Sequence, residues 1–292
     1  MRTGKLDSER LEQLLSDLPR RDQSVVIGPQ VGEDAAVIEI GDRCVVSATD
    51  PVTFATDRVG WYAVHVNAND VAVLGARPRW FLAVLLLPEG APFRLVESIM
   101  TDIRRACAAL DVTVCGGHTE VTPHVDAPLV VGQMLGEVAP AGLVRKTSLQ
   151  AGDDLLLTHG AAIEGTAILA RERRATLTAA LPEEVVDRAA ALLTDPGISV
   201  VDAALTAVAA GTIHAMHDPT EGGILNGLAE LAAAASTGLE VDVTRIPVLP
   251  ETGRICGHLK LDPLRLIASG ALLVGVPPSA TADVVAALAA KA

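Results

Sequence analysis

Aromatic residues make up only 2% of this 292-residue chain. Its core must therefore come from many small Ala, Val and Leu contacts rather than a few large rings. Cysteine is equally scarce. Cys44, Cys107, Cys115 and Cys256 are far apart and form no C-x-x-C pair, which excludes a zinc ribbon or a thioredoxin-type motif. They read as buried free thiols in a reducing compartment. The first 21 residues are studded with charge, unlike a signal peptide, so a cytoplasmic location is expected. Long apolar runs are also missing. The strongest, over 80–87, is far short of the ~20 residues that cross a bilayer, and no membrane partner is expected. Clustered positive charge is absent too. Lys plus Arg number 23 against 36 Asp plus Glu, for a net charge of −13. The only basic clusters are short pairs such as Arg20-Arg21 and Arg104-Arg105. Neither nucleic acid nor an anionic surface fits such a balance. No P-loop, G-x-G-x-x-G or G-x-S-x-G sequence occurs, which removes the commonest nucleotide and hydrolase signatures. His214 and His217 flank a strand-to-loop transition and read as core or surface histidines rather than a zinc pair.

Half of the residues are apolar, and their spacing can be read. A helix is expected over 7–18, capped by Asp7 or Ser8. Strands follow over 35–40 and 44–48 around the Gly41-Asp42 turn. Then come a helix over 61–74, a strand over 80–87, a helix over 92–110, and strands over 112–115 and 129–138. Periodicity lapses over 140–152, which predicts a boundary between domains 1–140 and 150–292. Beyond it, strands are expected over 154–158, 213–216, 239–243 and 271–276. Helices are expected over 164–174, 183–193, 200–209, 221–235 and 281–291. Both halves are mixed α and β, an α/β (α+β) class. The strand doublets in the first half predict a mixed rather than purely parallel sheet.

What recurs is an acid beside glycine or small residues at a segment end. The stretches are Gly32-Glu33-Asp34-Ala35-Ala36, Thr49-Asp50-Pro51, Asn67-Ala68-Asn69-Asp70, Gly116-Gly117-His118-Thr119-Glu120, and Asp218-Pro219-Thr220-Glu221-Gly222-Gly223. Each has an inert reading as a turn former, a helix cap or a solvated face. Their number suggests more. Mg²⁺ takes hard oxygen ligands and bridges to phosphates, and glycine lets backbone N–H groups approach phosphate closely.

Taken in this order, the motifs resemble the superfamily of aminoimidazole ribonucleotide (AIR) synthase, selenophosphate synthetase, thiamine-monophosphate kinase and the HypE hydrogenase-maturation proteins. The resemblance runs from Gly32 to Val276. It is most specific in Gly32 to Ala36, in Asn69-Asp70-Val71-Ala72-Val73-Leu74-Gly75-Ala76-Arg77-Pro78 and in Asp218 to Gly223. The stretch from Ile246-Pro247-Val248 to Leu261-Asp262-Pro263-Leu264 looks most like HypE. The resemblance implies a two-domain fold: an N-terminal mixed sheet that forms a barrel across a homodimer, and a C-terminal α/β domain. It implies ATP between the domains, with Mg²⁺ on Asp34, Asp50 and Asp70. Asn69, Gly116, Gly117, Thr119 and Asp218 would join these acids around the nucleotide. His118 and Glu120 would be the catalytic candidates. The implied chemistry is HypE-like: Mg-ATP activates an oxygen nucleophile at the γ-phosphate, on a small-molecule or protein-borne substrate. The alternatives are a small-molecule kinase resembling thiamine-monophosphate kinase, or a non-catalytic dimeric nucleotide-binding or assembly protein. Some HypE features differ here. Gly117-His118-Thr119-Glu120 replaces Gly-Asp-Thr-Lys, and Ala268-Ser269-Gly270 replaces Asn-Glu-Gly. The last cysteine is Cys256 rather than a terminal one, and the second domain reads as shortened at its end. Edge pairing of the 129–138 strand is expected to form the dimer.

Overall fold

Apolar and polar residues alternate on both sides of Gly41-Asp42, and the chain there folds back as a hairpin. In the computed structural model, which describes residues 6–19, 21–53 and 55–291, this hairpin is β2 and β3 of a six-stranded sheet. The elements run α1 (Ser8–Ser16), β1 (Val25–Ile27), β2 (Ala36–Ile40), β3 (Arg43–Val52), α2 (Val59–Ala72), β4 (Arg77–Leu87), α3 (Phe93–Ala109), β5 (Thr113–Val121) and β6 (Leu129–Val138). The strand order is β1-β2-β3-β6-β4-β5. Every pairing is antiparallel except β4 with β5. Two short 3₁₀ turns, Pro140–Gly142 and Lys146–Ser148, follow. The rest comprises β7 (Asp154–Leu157), α4 (Ile163–Glu172), α5 (Arg174–Thr178), α6 (Glu183–Ala191), α7 (Val201–Ala210), β8 (Ala215–His217), α8 (Gly223–Ala235), α9 (Pro250–Leu259), β9 (Leu273–Val276) and α10 (Pro278–Ala289). Here the sheet is antiparallel, ordered β7-β9-β8.

Helix α2 is the pivot. It is apolar on nearly every side and buried along most of its length, as expected of a helix enclosed by other layers. Its residues Ala63, Val64, Val71 and Ala72 share one core cluster with Val46 of β3, Met134 of β6, Val201 and Ala204 of α7, and Val274 and Val276 of β9. The two sheets are thus joined by continuous apolar packing.

Several expectations change. The 112–115 strand extends to Val121, so Gly116-Gly117-His118-Thr119-Glu120 lies inside β5 rather than after it, paired in parallel with 82–86 of β4. The 129–138 strand is not an edge: β6 is hydrogen-bonded on both sides, to β3 and β4. The edges are β1 and β5, and β5 is exposed at every position. The expected 239–243 strand does not form. Asp242 there accepts a hydrogen bond from the Thr244 amide at 3.0 Å and caps a 3₁₀ turn, Val243–Arg245, the local competition by which Asp disfavours ladders. Helix α9 was not foreseen, because Gly253 and Gly257 weaken its propensity. Pro250 at its first turn, the buried Ile255 and Cys256, and a Thr252–Thr166 hydroxyl contact of 2.9 Å to α4 secure it. Strand β1, three residues long, also escaped the pattern. Of the thiols, Cys115 is exposed on β5 while the other three are buried.

Gly132 of β6 lies opposite Asp50 of β3 and under α2. A Cβ there would stand 2.4 Å from Asn67 Nδ2 and 2.8 Å from the Ala63 carbonyl oxygen. Gly132→Ala is therefore expected to destabilise the protein by about 1–3 kcal/mol. The check is a lower denaturant midpoint at unchanged m value.

Candidate active site

The acids flagged in the sequence converge from both halves of the chain. Asp34 precedes β2. Lys146, itself 2% exposed, reaches it from the Lys146–Ser148 turn. Its Nζ lies 2.5 Å from Asp34 Oδ2 and donates to the Gly32 carbonyl oxygen at 2.8 Å. His217, at the end of β8, places Nδ1 3.5 Å from the same Asp34 oxygen and Nε2 3.0 Å from Glu230 Oε2 of α8. A row of alternating charge results, Lys146, Asp34, His217 and Glu230, its two basic members buried and its two acids partly exposed. Burial works to raise the Asp34 pKa, but the His217 and Lys146 contacts outweigh it and hold that carboxyl below its ordinary value. For His217, burial works to lower the pKa, and the bonds to Asp34 and Glu230 outweigh it and raise it.

Asp70 and Asp218 sit beyond that row. Asp70 is on the last turn of α2, 4% exposed, with Oδ2 unpartnered. Burial, then the negative charges of Asp218, Asp50 and Asp34, push its pKa well up. Asp218 follows β8, 2% exposed, with both carboxylate oxygens unpartnered. Burial and Asp34 push its pKa up to about 7. Two left-handed residues, Gly222 and Gly223 (φ 85° and 68°), turn the chain from Asp218 into α8. A Cβ on Gly223 would stand 2.5 Å from the Leu264 carbonyl oxygen, so only glycine fits. Asp50 is fixed through its backbone. Its amide donates to Asn67 Oδ1 at 2.8 Å, and its carbonyl accepts from Asn67 Nδ2 at 3.3 Å.

Asp34, Asp50, Asp70 and Asp218 all line one cavity of about 600 Å³, together with Glu33, Glu164, Glu221 and Ser269. No Lys, Arg or His is among its described lining residues. Buried carboxylate oxygens without partners are hard donors facing one another, and they fit a small hard cation such as Mg²⁺. Asp34, His217 and Asp218 also bring one donor atom each within 4.8 Å of one another. Both His217 nitrogens there already face carboxylates, however, which leaves Asp50, Asp70 and Asp218 as the better cation ligands.

Not every expected site residue arrives. Asn69 does not line the cavity. Its amide nitrogen donates to the Ile198 carbonyl oxygen at 2.8 Å, and its Oδ1 accepts from the Val200 amide at 2.8 Å. It is a structural tie to the segment before α7, with both ends of the amide engaged. Gly116, Gly117, His118, Thr119 and Glu120 also lie outside the cavity of their own chain, because β5 is the far edge of the sheet. His118 Nε2 and Glu120 Oε2 are 3.3 Å apart and exposed. The sequence reading missed Lys146, His217 and Glu164 as site residues. Lys146 lies where periodicity lapses, and His217 looked like ordinary core. Glu164 carried one signal, a lone acid within Ala161-Ala162-Ile163-Glu164-Gly165.

Known proteins resemble this chain over most of its length. Residues 32–138 match the N-terminal domain model of the AIR synthase related proteins, and residues 150–292 match the C-terminal one. The carbamoyl dehydratase HypE of Rhodobacter capsulatus is 31% identical over 88% of this chain and 74% of that protein. A hydrogenase expression/formation protein of Methanocaldococcus jannaschii is 27% identical over 94% of this chain and 80% of its own. A solved HypE structure in complex with ATP superposes with a TM-score of 0.68 at 25% identity, covering 95% of this chain and 76% of that one.

The raised carboxyls set the pH response. Asp218 and Glu164, both pushed up to about 7, hold protons in the folded state that the unfolded chain releases near the ordinary carboxylate value. The stability they confer is complete at low pH and is lost as pH rises through 7. His217 acts in the same direction, while Asp34 acts oppositely and only below 3.8. The metal-free protein should therefore melt at lower temperature at about pH 8 than at about pH 5. Millimolar Mg²⁺ should reduce the difference, and differential scanning calorimetry across that range measures both effects.

Proposed function

Because this chain belongs to the AIR synthase related family, we propose that it is an ATP-dependent enzyme of the HypE type, in which an oxygen nucleophile of its substrate is activated at the γ-phosphate. The observation that carries this reading is the meeting of Asp34, Asp50, Asp70 and Asp218, from both halves of the chain, in one cavity. A scaffold has no use for mutually repelling acids, two of them, Asp70 and Asp218, buried. In this reading, residues 1–140 and 150–292 are its two domains, with the nucleotide between them. Asp50, Asp70 and Asp218, with Asp34 beside them, hold Mg²⁺. When bound, that ion supplies the positive charge that lets a triphosphate enter a cavity lined by acids. The protein's own part is positioning. Asn67 fixes the Asp50 backbone, and Lys146 and His217 keep Asp34 ionised.

The test is thermal. ATP is expected to raise the melting temperature only when Mg²⁺ is present, since binding to the native state alone stabilises by about 2.7 kcal/mol at a hundredfold excess over Kd. Asp218→Asn should abolish that shift while leaving the metal-free protein folded. Absence of any shift at millimolar Mg-ATP removes the ATP reading.

The same reading includes a homodimer, through a different strand from the one first expected. Among the described residues, strand β5 has no partner on its outer edge. It is uncovered on both faces, with Val114 and Val121 exposed, a liability for a lone subunit. Pairing of two β5 edges across a two-fold axis would close the two sheets into a barrel. It would also carry His118 and Glu120 to the subunit seam, the route by which they could reach a nucleotide. Light scattering at micromolar concentration should give twice the 30.2 kDa chain mass, and Val114→Lys should give the monomer. A monomeric parent protein overturns the assembly.

A further inference from the structure

Glu164 plays no part in the metal and nucleotide roles given above, yet it faces the same cavity. It lies on the first turn of α4, is 4% exposed, and its Oε2 has no hydrogen-bond partner. The groups that face it are few. Tyr62 of α2 and Ser269, in the turn before β9, bring hydroxyls, and Glu221, before α8, brings a negative charge. On its other sides α4 meets apolar residues of α6 and α9, such as Val186, Ala189 and Ile255, and the Thr252 hydroxyl. No cationic side chain lies among the described residues of the cavity wall.

We propose that Glu164 is a catalytic residue of this site: the base that takes the proton of a neutral, proton-bearing nucleophile as that nucleophile attacks the γ-phosphorus. The proposal rests on the ATP-dependent reading. The nucleophile's oxygen forms a bond to the γ-phosphorus. The bond from that phosphorus to the β–γ bridging oxygen breaks, and ADP leaves with its electron pair. The nucleophile's proton passes to Glu164 Oε2 and later to water. Substrate class follows from the same wall. An anionic acceptor, whether carboxylate or phosphate, would meet Glu33, Glu164 and Glu221 with no cationic side chain opposite, and would need no base. A neutral hydroxyl or amide group meets neither difficulty. Burial, reinforced by Glu221 and opposed by the Ser269 hydroxyl, sets the acidity of Glu164 near neutrality, where a base both accepts and releases a proton efficiently.

The experiment uses the full chain and water as the neutral nucleophile, following ADP release from Mg-ATP between about pH 6 and 9. The parent protein should show a rate that rises with pH and levels off above an inflection near 7. Glu164→Gln, close to isosteric, should lose about a hundredfold or more in kcat together with the inflection, with KM for Mg-ATP unchanged within about twofold. Glu164→Asp should retain a pH inflection at a reduced rate. The melting temperature with and without Mg-ATP is read on the same samples. A parent protein with no Mg-ATP shift sinks the ATP reading and this step with it. A retained shift with a Gln variant as fast as the parent, or with the same pH profile, sinks the base alone. A change confined to KM, or a parent protein that binds Mg-ATP and leaves it intact across the whole pH range, also overturns the proposal.

Discussion

Carboxylates that cannot all be charged at once govern this molecule. Asp70 and Asp218 are buried with oxygens that meet no donor, and burial and neighbouring carboxylates push the pKa of each up: Asp218, Asp50 and Asp34 for Asp70, and Asp34 for Asp218. Burying one uncompensated carboxylate is costly, and gathering several is worse. A fold keeps such an arrangement only if a proton or a cation completes it. The remaining features of the site can be understood as ways of holding these acids in place without neutralising them.

The holding is done mostly by the backbone and by amides. Asn67 grips both the N–H and the C=O of Asp50. Asn69, two residues on, grips Ile198 and Val200. Successive polar residues on one helix face different directions, so α2 fixes a strand of the first sheet with one amide and the second half of the chain with the other. Asp70 comes next along the same helix. Continuous apolar packing from β3 through α2 to α7 and β9 makes this geometry a property of the whole core, because a dense core resists small displacements of its parts.

Much of this was legible in the sequence, and the pattern of failures is physical. Strands β2, β4 and β6 and most helices follow from periodicity, since each has one dominant apolar face or run. The acids were legible because glycine and proline beside them mark segment ends. What periodicity could not give was pairing. Whether the 129–138 strand is central or at an edge depends on which strands lie beside it, and the β4–β5 parallel crossover moved the edge to β5. For the same reason His118 and Glu120 read as site residues although their own cavity lies strands away. Asn69 misled in a different way: a buried amide in a motif resembles a ligand until its partners are seen. Lys146 gave no signal, because a lone lysine in an aperiodic stretch looks like solvent-exposed charge.

Lys146 explains why the acids differ in role. It and His217 flank Asp34 and hold its carboxyl ionised below the ordinary carboxylate range. Asp70 is buried among the negative charges of Asp218, Asp50 and Asp34, and at Asp218 burial and Asp34 outweigh the same two cations, so both are driven toward the protonated form. Environments that separate the pKa values of neighbouring carboxylates separate their functions. Asp34 supplies a fixed negative charge, and its Lys146 contact compensates that charge locally. In the proposed reading Asp70 and Asp218 exchange protons for a divalent cation, so that cation binding would release protons. His217 stands between Asp34 and Glu230, its Nε2 3.0 Å from Glu230 Oε2 and its Nδ1 3.5 Å from Asp34 Oδ2, which makes it a poorer ligand than the carboxylates. A hard, all-oxygen site remains, the donor set that magnesium prefers over softer metals.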